Sequence, residues 1–416
     1  MIGLALAPLV LGAGLLAGAP PLGQDPAPSG GAVPYRKAGE QPLDFRGPGR
    51  DAPEPAVDEV VLGWFGPPDP DDPEDGETWR GATLALEQEN AAGGYRGKPF
   101  RLEAAWSKSP WQAGIVGVTR LVYERGAWAV IGGKDGASTH LAVQVALKAY
   151  VLLLSPGSTD ATVDHANVPW LFSLPPSNER LAAVLAGALA AEAAAGPFAV
   201  VSATDHDSHA ALLSLRRALA ARRLTPAEQV ELSDDPQGQA TLATRLRVSA
   251  ARAVVVLAGS SATAAMVKAL RAAGYAGAIL GGAPAARVAF ARAAGPAADG
   301  VAAPCWTDET APAWRAFADA YRRRWGADAD GSSASGYDAV RITAAAIRVA
   351  GLNRPRIRDA VRTLAPYAGA GGVVRWDALG RAGGEPWMAV WGQGRLTRPG
   401  GGPRFDPASG PRGTPR

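Results

Sequence analysis

The sequence predicts an α/β protein made of two doubly wound lobes, each a parallel sheet covered by helices on both faces. Two observations carry this. From Glu59 onward, short β-branched runs alternate with helical stretches, and the runs are apolar throughout, as strands buried on both faces must be. The same alternation begins again after Pro175-Pro176, which gives a second lobe of similar recipe. The length agrees: 416 residues, at about 150 per domain, make roughly two to three domains.

In the first lobe, 60–65 (VVLGWF) and 100–106 (FRLEAAW) read as strands, and the stretch 79–92 as a helix stopped by Gly93-Gly94. A helix over 112–125 leads to a buried strand at 128–131, a helix over 139–149 and a strand at 150–154. The second series runs helix 181–195, strand 198–201, helix 210–223, strand 229–232, helix 240–248, strand 253–257, helix 262–273 and strand 278–280. Helices over 313–325, 337–350 and 356–364 follow, then late strands at 372–376 and 387–391.

Hydrophobic residues make up 47% and charged residues 19% of the chain, enough apolar material for a sizeable core, so a wholly disordered chain is excluded. Lys and Arg number 42 against 39 Asp and Glu, a net +3 spread along the chain, and a nucleic-acid binder would gather its basic residues into a stripe. A single cysteine, Cys305, rules out an internal disulfide and a cysteine-based zinc site. The apolar run up to Ala17-Gly18-Ala19 has the form of a signal peptide, so 1–19 is expected to direct export. Residues 20–57, rich in Pro and Gly, read as a tether, and 395–416 as a disordered tail.

The chemistry concentrates in two loops. The first, Gly132 to His140, leaves a buried strand and opens a helix, a place where free backbone N–H groups favour an anion. It is no phosphate loop, since Trp128 and Asp135 stand where Gly and a hydroxyl residue are required. The bland reading makes Ser138 a helix cap. The second loop, Ser155 to Asp160, follows the next strand and offers hydroxyls beside the first, which suits a small carboxylate or amide. Trp64 and Phe65, ending the first strand, are candidates to roof an apolar ligand group. His206 and His209 flank Asp207, but nothing in the sequence fixes further metal ligands around them. No G-x-S-x-G elbow accompanies Ser138 and His140, so no catalytic residue, metal or cofactor is assigned.

The segments IGGKDGASTHLAVQVALKA and LLLSPGSTDATVDHANVPWLFSLPPSNE, with WFGPPDP, WRGATLALEQENAAGGYRGK, AVVSATDHDS, DAVRITAAAI and VVRWDALGR, resemble periplasmic solute-binding proteins of the leucine/isoleucine/valine-binding type. The resemblance runs over about 58–394 and implies the type I periplasmic-binding fold. It implies two lobes that close over a small ligand, joined by crossovers near Ser173–Pro176, Pro304–Asp308 and Gly371–Val373. It assigns 58–175 with 307–371 to one lobe and 176–306 with 372–394 to the other. The residues aligned with the family's grip on an amino acid are Gly136, Ala137, Ser138, Gly157, Ser158 and Thr159. Gly136 replaces a usual hydroxyl residue, Asp207-Ser208 a usual Tyr-Gly, and Ala283 an acid facing the ammonium, a role Asp207 is placed to take over. The implied protein is a monomeric, extracytoplasmic binding protein, not an enzyme, that delivers an amino acid or related small carboxylate or amide to ABC transporter permease subunits. The alternative is a sensor domain with the same trap, reporting to a membrane partner.

Overall fold

A computed structural model describes residues 48–249, 251–382 and 384–398. The expected signal peptide, most of the expected tether and all but the start of the expected tail lie outside these residues.

The first lobe begins with β1 (Val60–Phe65), α1 (Gly76–Ala91) and β2 (Phe100–Ala104). The stretch expected as one helix after β2 is wound as two π-helical segments, Gln112–Gly117 and Arg120–Glu124. Then come β3 (Ala129–Gly132), α2 (Gly136–Ala149), β4 (Leu152–Ser155), α3 (Ala161–His165) and β5 (Leu171–Ser173). The chain crosses to the second lobe, which runs α4 (Asn178–Ala193), β6 (Phe198–Ser202), α5 (His206–Ala221), β7 (Glu228–Glu231), α6 (Pro236–Val248), β8 (Ala253–Leu257), α7 (Ser260–Ala272), β9 (Ala278–Gly281), α8 (Val288–Ala294) and β10 (Ala302–Cys305). It returns to the first lobe as α9 (Pro312–Trp325), α10 (Gly331–Ala350), α11 (Arg354–Thr363) and the hairpin β11 (Tyr367–Gly369) and β12 (Gly372–Val374). It ends in the second lobe as β13 (Trp387–Gly392) and β14 (Arg395–Thr397).

The first sheet has the order β2-β1-β3-β4-β5, all parallel. The second has the equivalent parallel order β7-β6-β8-β9-β10, extended by the antiparallel β13 and β14. Central strands β1, β3, β4, β6 and β8 are buried along their whole length. That is why they carry continuous apolar runs rather than alternation. Helices α1 and α10 meet backbone to backbone: a Cβ on Gly81 would lie 1.9 Å from the Ser333 carbonyl oxygen, and one on Gly336 would lie 2.1 Å from that of Thr78.

Three expectations are corrected. The segment 372–382, expected in the second lobe, stays with the first. There β12 pairs only with β11 among the described residues, Trp376 meets Phe172 edge to face at 5.1 Å, and Ala382 N–H donates to Ser173 O at 2.8 Å. The third crossover therefore falls between Ala382 and Trp387. Arg395, expected to open the tail, begins β14 instead, because the Gln393-Gly394 turn folds it back onto β13. The end of the expected tether is tied down: Arg50 pairs with Asp359, and Asn353 Nδ2 donates to Gly49 O at 2.8 Å.

Candidate ligand site in the cleft between the lobes

In open α/β sheets, ligands bind beyond the carboxyl ends of the strands. Here those ends face one another across the cleft, and between them lies a cavity of about 590 Å³, within the usual range for small-molecule sites. The first lobe supplies the loops after β3 and β4, including Lys134, Ala137, Gly157 and Thr159. The second supplies the apolar wall: Leu181 and Leu185 of α4, Leu215 of α5, Leu257, Ala283 and Trp306.

Asp135 caps α2. Its carboxylate accepts from Ser138 N–H at 2.7 Å and from the Ser138 hydroxyl at 2.6 Å, and Ser138 is 1% exposed. Ser138 is thus spent on the cap, and the expectation that it lines the site is not met. Ser158 is also buried beside the cavity rather than in its lining, with its Oγ unpartnered among the described residues. Thr159 does line the cavity. Its hydroxyl donates to Asn178 Oδ1 at 2.7 Å, and the buried Asn178 Nδ2 has no partner among the described residues.

Trp64 and Phe65 are corrected as well. Trp64 packs on Trp79 in the core beneath one face of the sheet, and Phe65 packs on Trp106 beneath the other. Successive side chains of a strand point to opposite faces, and helices cover both, so neither ring reaches the cleft.

The cleft is shut at two rims. At one, Asp207 at the start of α5 reaches across, and its Oδ1 accepts from Gly136 N–H at 2.8 Å. Gly136 is required here, because a Cβ would lie 2.4 Å from Asp160 Oδ2 and 2.9 Å from Asp207 Oδ1. Burial pushes the Asp207 carboxyl up to about 7, against the Gly136 N–H that favours its charged form, and Asp135 adds to the rise. His206, one residue earlier, lies 2.8 Å from Asp160 Oδ2, also across the cleft.

At the other rim the acidic run before α1 engages the second lobe. Glu74 accepts from Ser260 N–H at 2.9 Å and Ser261 N–H at 2.8 Å, at the N-terminus of α7. Asp75 lies between Lys134 at 2.8 Å and Arg287 at 3.2 Å. Burial alone would raise Asp75, but Arg287 and Lys134 outweigh it and hold the carboxyl below the ordinary range. Glu77 pairs with Arg292 at 2.8 Å, and Asp330 accepts from Val288 N–H at 3.0 Å.

Sequence reasoning missed Asn178, Glu74, Asp75 and Arg287. The run from Asp69 to Glu77 looks like a solvated acidic loop until the second lobe is brought against it.

Two lobes of equivalent strand order, three crossovers and a cavity shut between them define a two-lobed ligand-binding protein of the type I periplasmic-binding fold. The sequence profile of the periplasmic binding protein family matches residues 70–395, and the chain belongs to that family. An amino acid binding protein of Pseudomonas aeruginosa is 33% identical over 120 residues, 29% of this chain and 32% of that protein, so the alignment spans about a third of that relative's length. Among solved structures, the branched-chain amino acid transporter substrate binding protein LivJ from Streptococcus pneumoniae, in complex with isoleucine, superposes with a TM-score of 0.74. It is 22% identical, and the superposition covers 81% of this chain and 97% of that one. A solute binding protein from R. palustris, in complex with benzoate, superposes with a TM-score of 0.70 at 16% identity, covering 82% and 95%. At these identities the likeness is one of fold.

Proposed function

We propose that the chain captures a small carboxylate, a branched-chain amino acid or related compound, between its lobes outside the cytoplasm and delivers it to ABC transporter permease subunits. The observation that carries this reading is the cavity's asymmetry: a polar wall from the first lobe, with Lys134, Gly157 and Thr159, faces an apolar wall from the second. A carboxylate fits the first and an aliphatic or aromatic group the second. The isoleucine of LivJ and the benzoate of the R. palustris protein share that pairing of carboxylate and apolar body.

Asp207 decides between a ligand with an ammonium and one without. An ammonium closed into the cleft needs a carboxylate, since a buried unpaired charge is very costly. Ala283 supplies none, and Asp207 lines the cavity. Native mass spectrometry of the purified chain, followed by calorimetry with leucine, isoleucine, valine and benzoate, tests the reading. For an amino acid, Asp207→Asn is expected to weaken binding by about a hundredfold or more, as loss of one partner of a buried charge pair costs roughly 3–5 kcal/mol. An affinity unchanged within about threefold would reduce Asp207 to a closure contact and leave a carboxylate lacking an amine. Absence of binding to any small carboxylate would sink the reading.

A further inference from the structure

Three side chains far apart in the sequence meet at the rim of the cleft: His140 from α2, Asp160 at the start of α3 and His206 at the start of α5. One ligand atom from each lies within 4.8 Å of the other two. Asp160 Oδ2 is 2.8 Å from His206 Nε2 and 3.4 Å from His140 Nε2. The carboxylate is held in place from behind, where its Oδ1 accepts from Thr162 N–H at 2.9 Å and from the Thr162 hydroxyl at 2.8 Å. One oxygen is therefore fixed and the other is presented to both imidazoles, the outer support that metal-binding carboxylates require. His140 Nε2 also lies 2.8 Å from Thr162 Oγ1.

We propose that His140, Asp160 and His206 form a site for a divalent transition metal ion, with zinc the best fit, that ties the two lobes together. Two imidazoles and a carboxylate are a donor set suited to zinc, and three protein ligands leave a coordination position for water. The partly exposed imidazoles give an ion a path from solvent, and the neighbouring carboxylates of Asp135 and Asp207 make the rim attractive to a cation. Gly136 is part of the construction, since any side chain there would occupy the space beside Asp160 Oδ2.

The consequence follows from where the ligands come from. His140 and Asp160 belong to one lobe and His206 to the other, so the three are assembled only when the cleft is shut. An ion bound there favours the closed form by its differential affinity. By reciprocity it tightens any small ligand held in the cavity, and that ligand tightens the ion. The inference rests on the closing lobes and is independent of what the cavity holds.

The test uses the untagged full chain stripped with chelator, zinc chloride as the only added ligand, and calorimetry alongside small-angle scattering. The expected result is one zinc ion per chain with a smaller radius of gyration on binding. Affinity should fall by about tenfold or more in His206→Ala and in His140→Ala, and be unchanged in His209→Ala, a neighbouring exposed histidine outside the cluster. Circular dichroism of each variant checks that it has folded. No binding in the hundreds of micromolar, binding that survives His206→Ala, or binding without compaction would each overturn the proposal. Because no small carboxylate is present, its failure is separate from that of the ligand reading.

Discussion

Asp338 shows how one buried carboxyl can set a pH dependence. It lies in α10, is 3% exposed, and accepts from Ala370 N–H at 2.7 Å and Gly371 N–H at 2.9 Å. Burial pushes it up to about 7, against those two N–H groups and the Arg341 guanidinium, which favour the charged form. The folded chain therefore holds this proton more tightly than the unfolded chain, whose carboxyl titrates near the ordinary value of about 3.9. The resulting stability is fully present below about pH 4 and is lost as pH rises through about 7. In urea unfolding, the wild type is expected to lose stability between pH 5 and pH 8 relative to Asp338→Asn. The difference is bounded by about 4 kcal/mol. Parallel pH profiles for the two proteins would show that the carboxyl is ionised throughout. Nothing in DAVRITAAAI marks this Asp as buried, because its two N–H donors arrive from a turn some thirty residues later.

At the scale of elements, the α1–α10 contact is the most demanding. Gly81 faces a backbone carbonyl that cannot rotate away, so Gly81→Ala is expected to cost about 1–3 kcal/mol or more, read as a lowered thermal midpoint. Gly187, exposed in the middle of α4, meets only the tip of Arg222 at 3.8 Å, and Gly187→Ala there is expected to raise the midpoint slightly. Similar shifts in both variants would deny the contact its role. The same scale explains what was legible in the sequence. The long apolar strands and the helices with clear stops could be read, since their periodicity is local. Strands β5, β10 and β11, of three or four residues, could not, and Pro304 in β10 reads as a break. It is tolerated because pairing with β9 is confined to Ala302↔Leu280. The cleft loops could be found because they follow strand ends. The partners of Asp160, Asn178 and Asp75 could not, because they arrive from segments whose place depends on the fold.

For the whole molecule, the closed cleft rests on contacts that add little to either lobe's own core. Glu74 caps α7 from the opposite lobe, so Glu74→Ala is expected to enlarge the radius of gyration while leaving the thermal midpoint nearly unchanged. An unaltered radius would mean that other contacts hold the lobes. The crossovers are bound together by a different device. Arg381, 2% exposed, pairs with the buried Asp164 and donates to Ser158 O at 2.9 Å, Pro175 O at 2.8 Å and Asp160 O at 3.0 Å. It fastens the cleft loop after β4 to the first crossover from a position more than 200 residues downstream. Time enters here. Asp164 is made more than two hundred residues before Arg381, the cation it pairs with. The first lobe, begun first, can be completed only after the ribosome has delivered the second lobe through β10 and then Arg381, and the second lobe closes later still with β13 and β14.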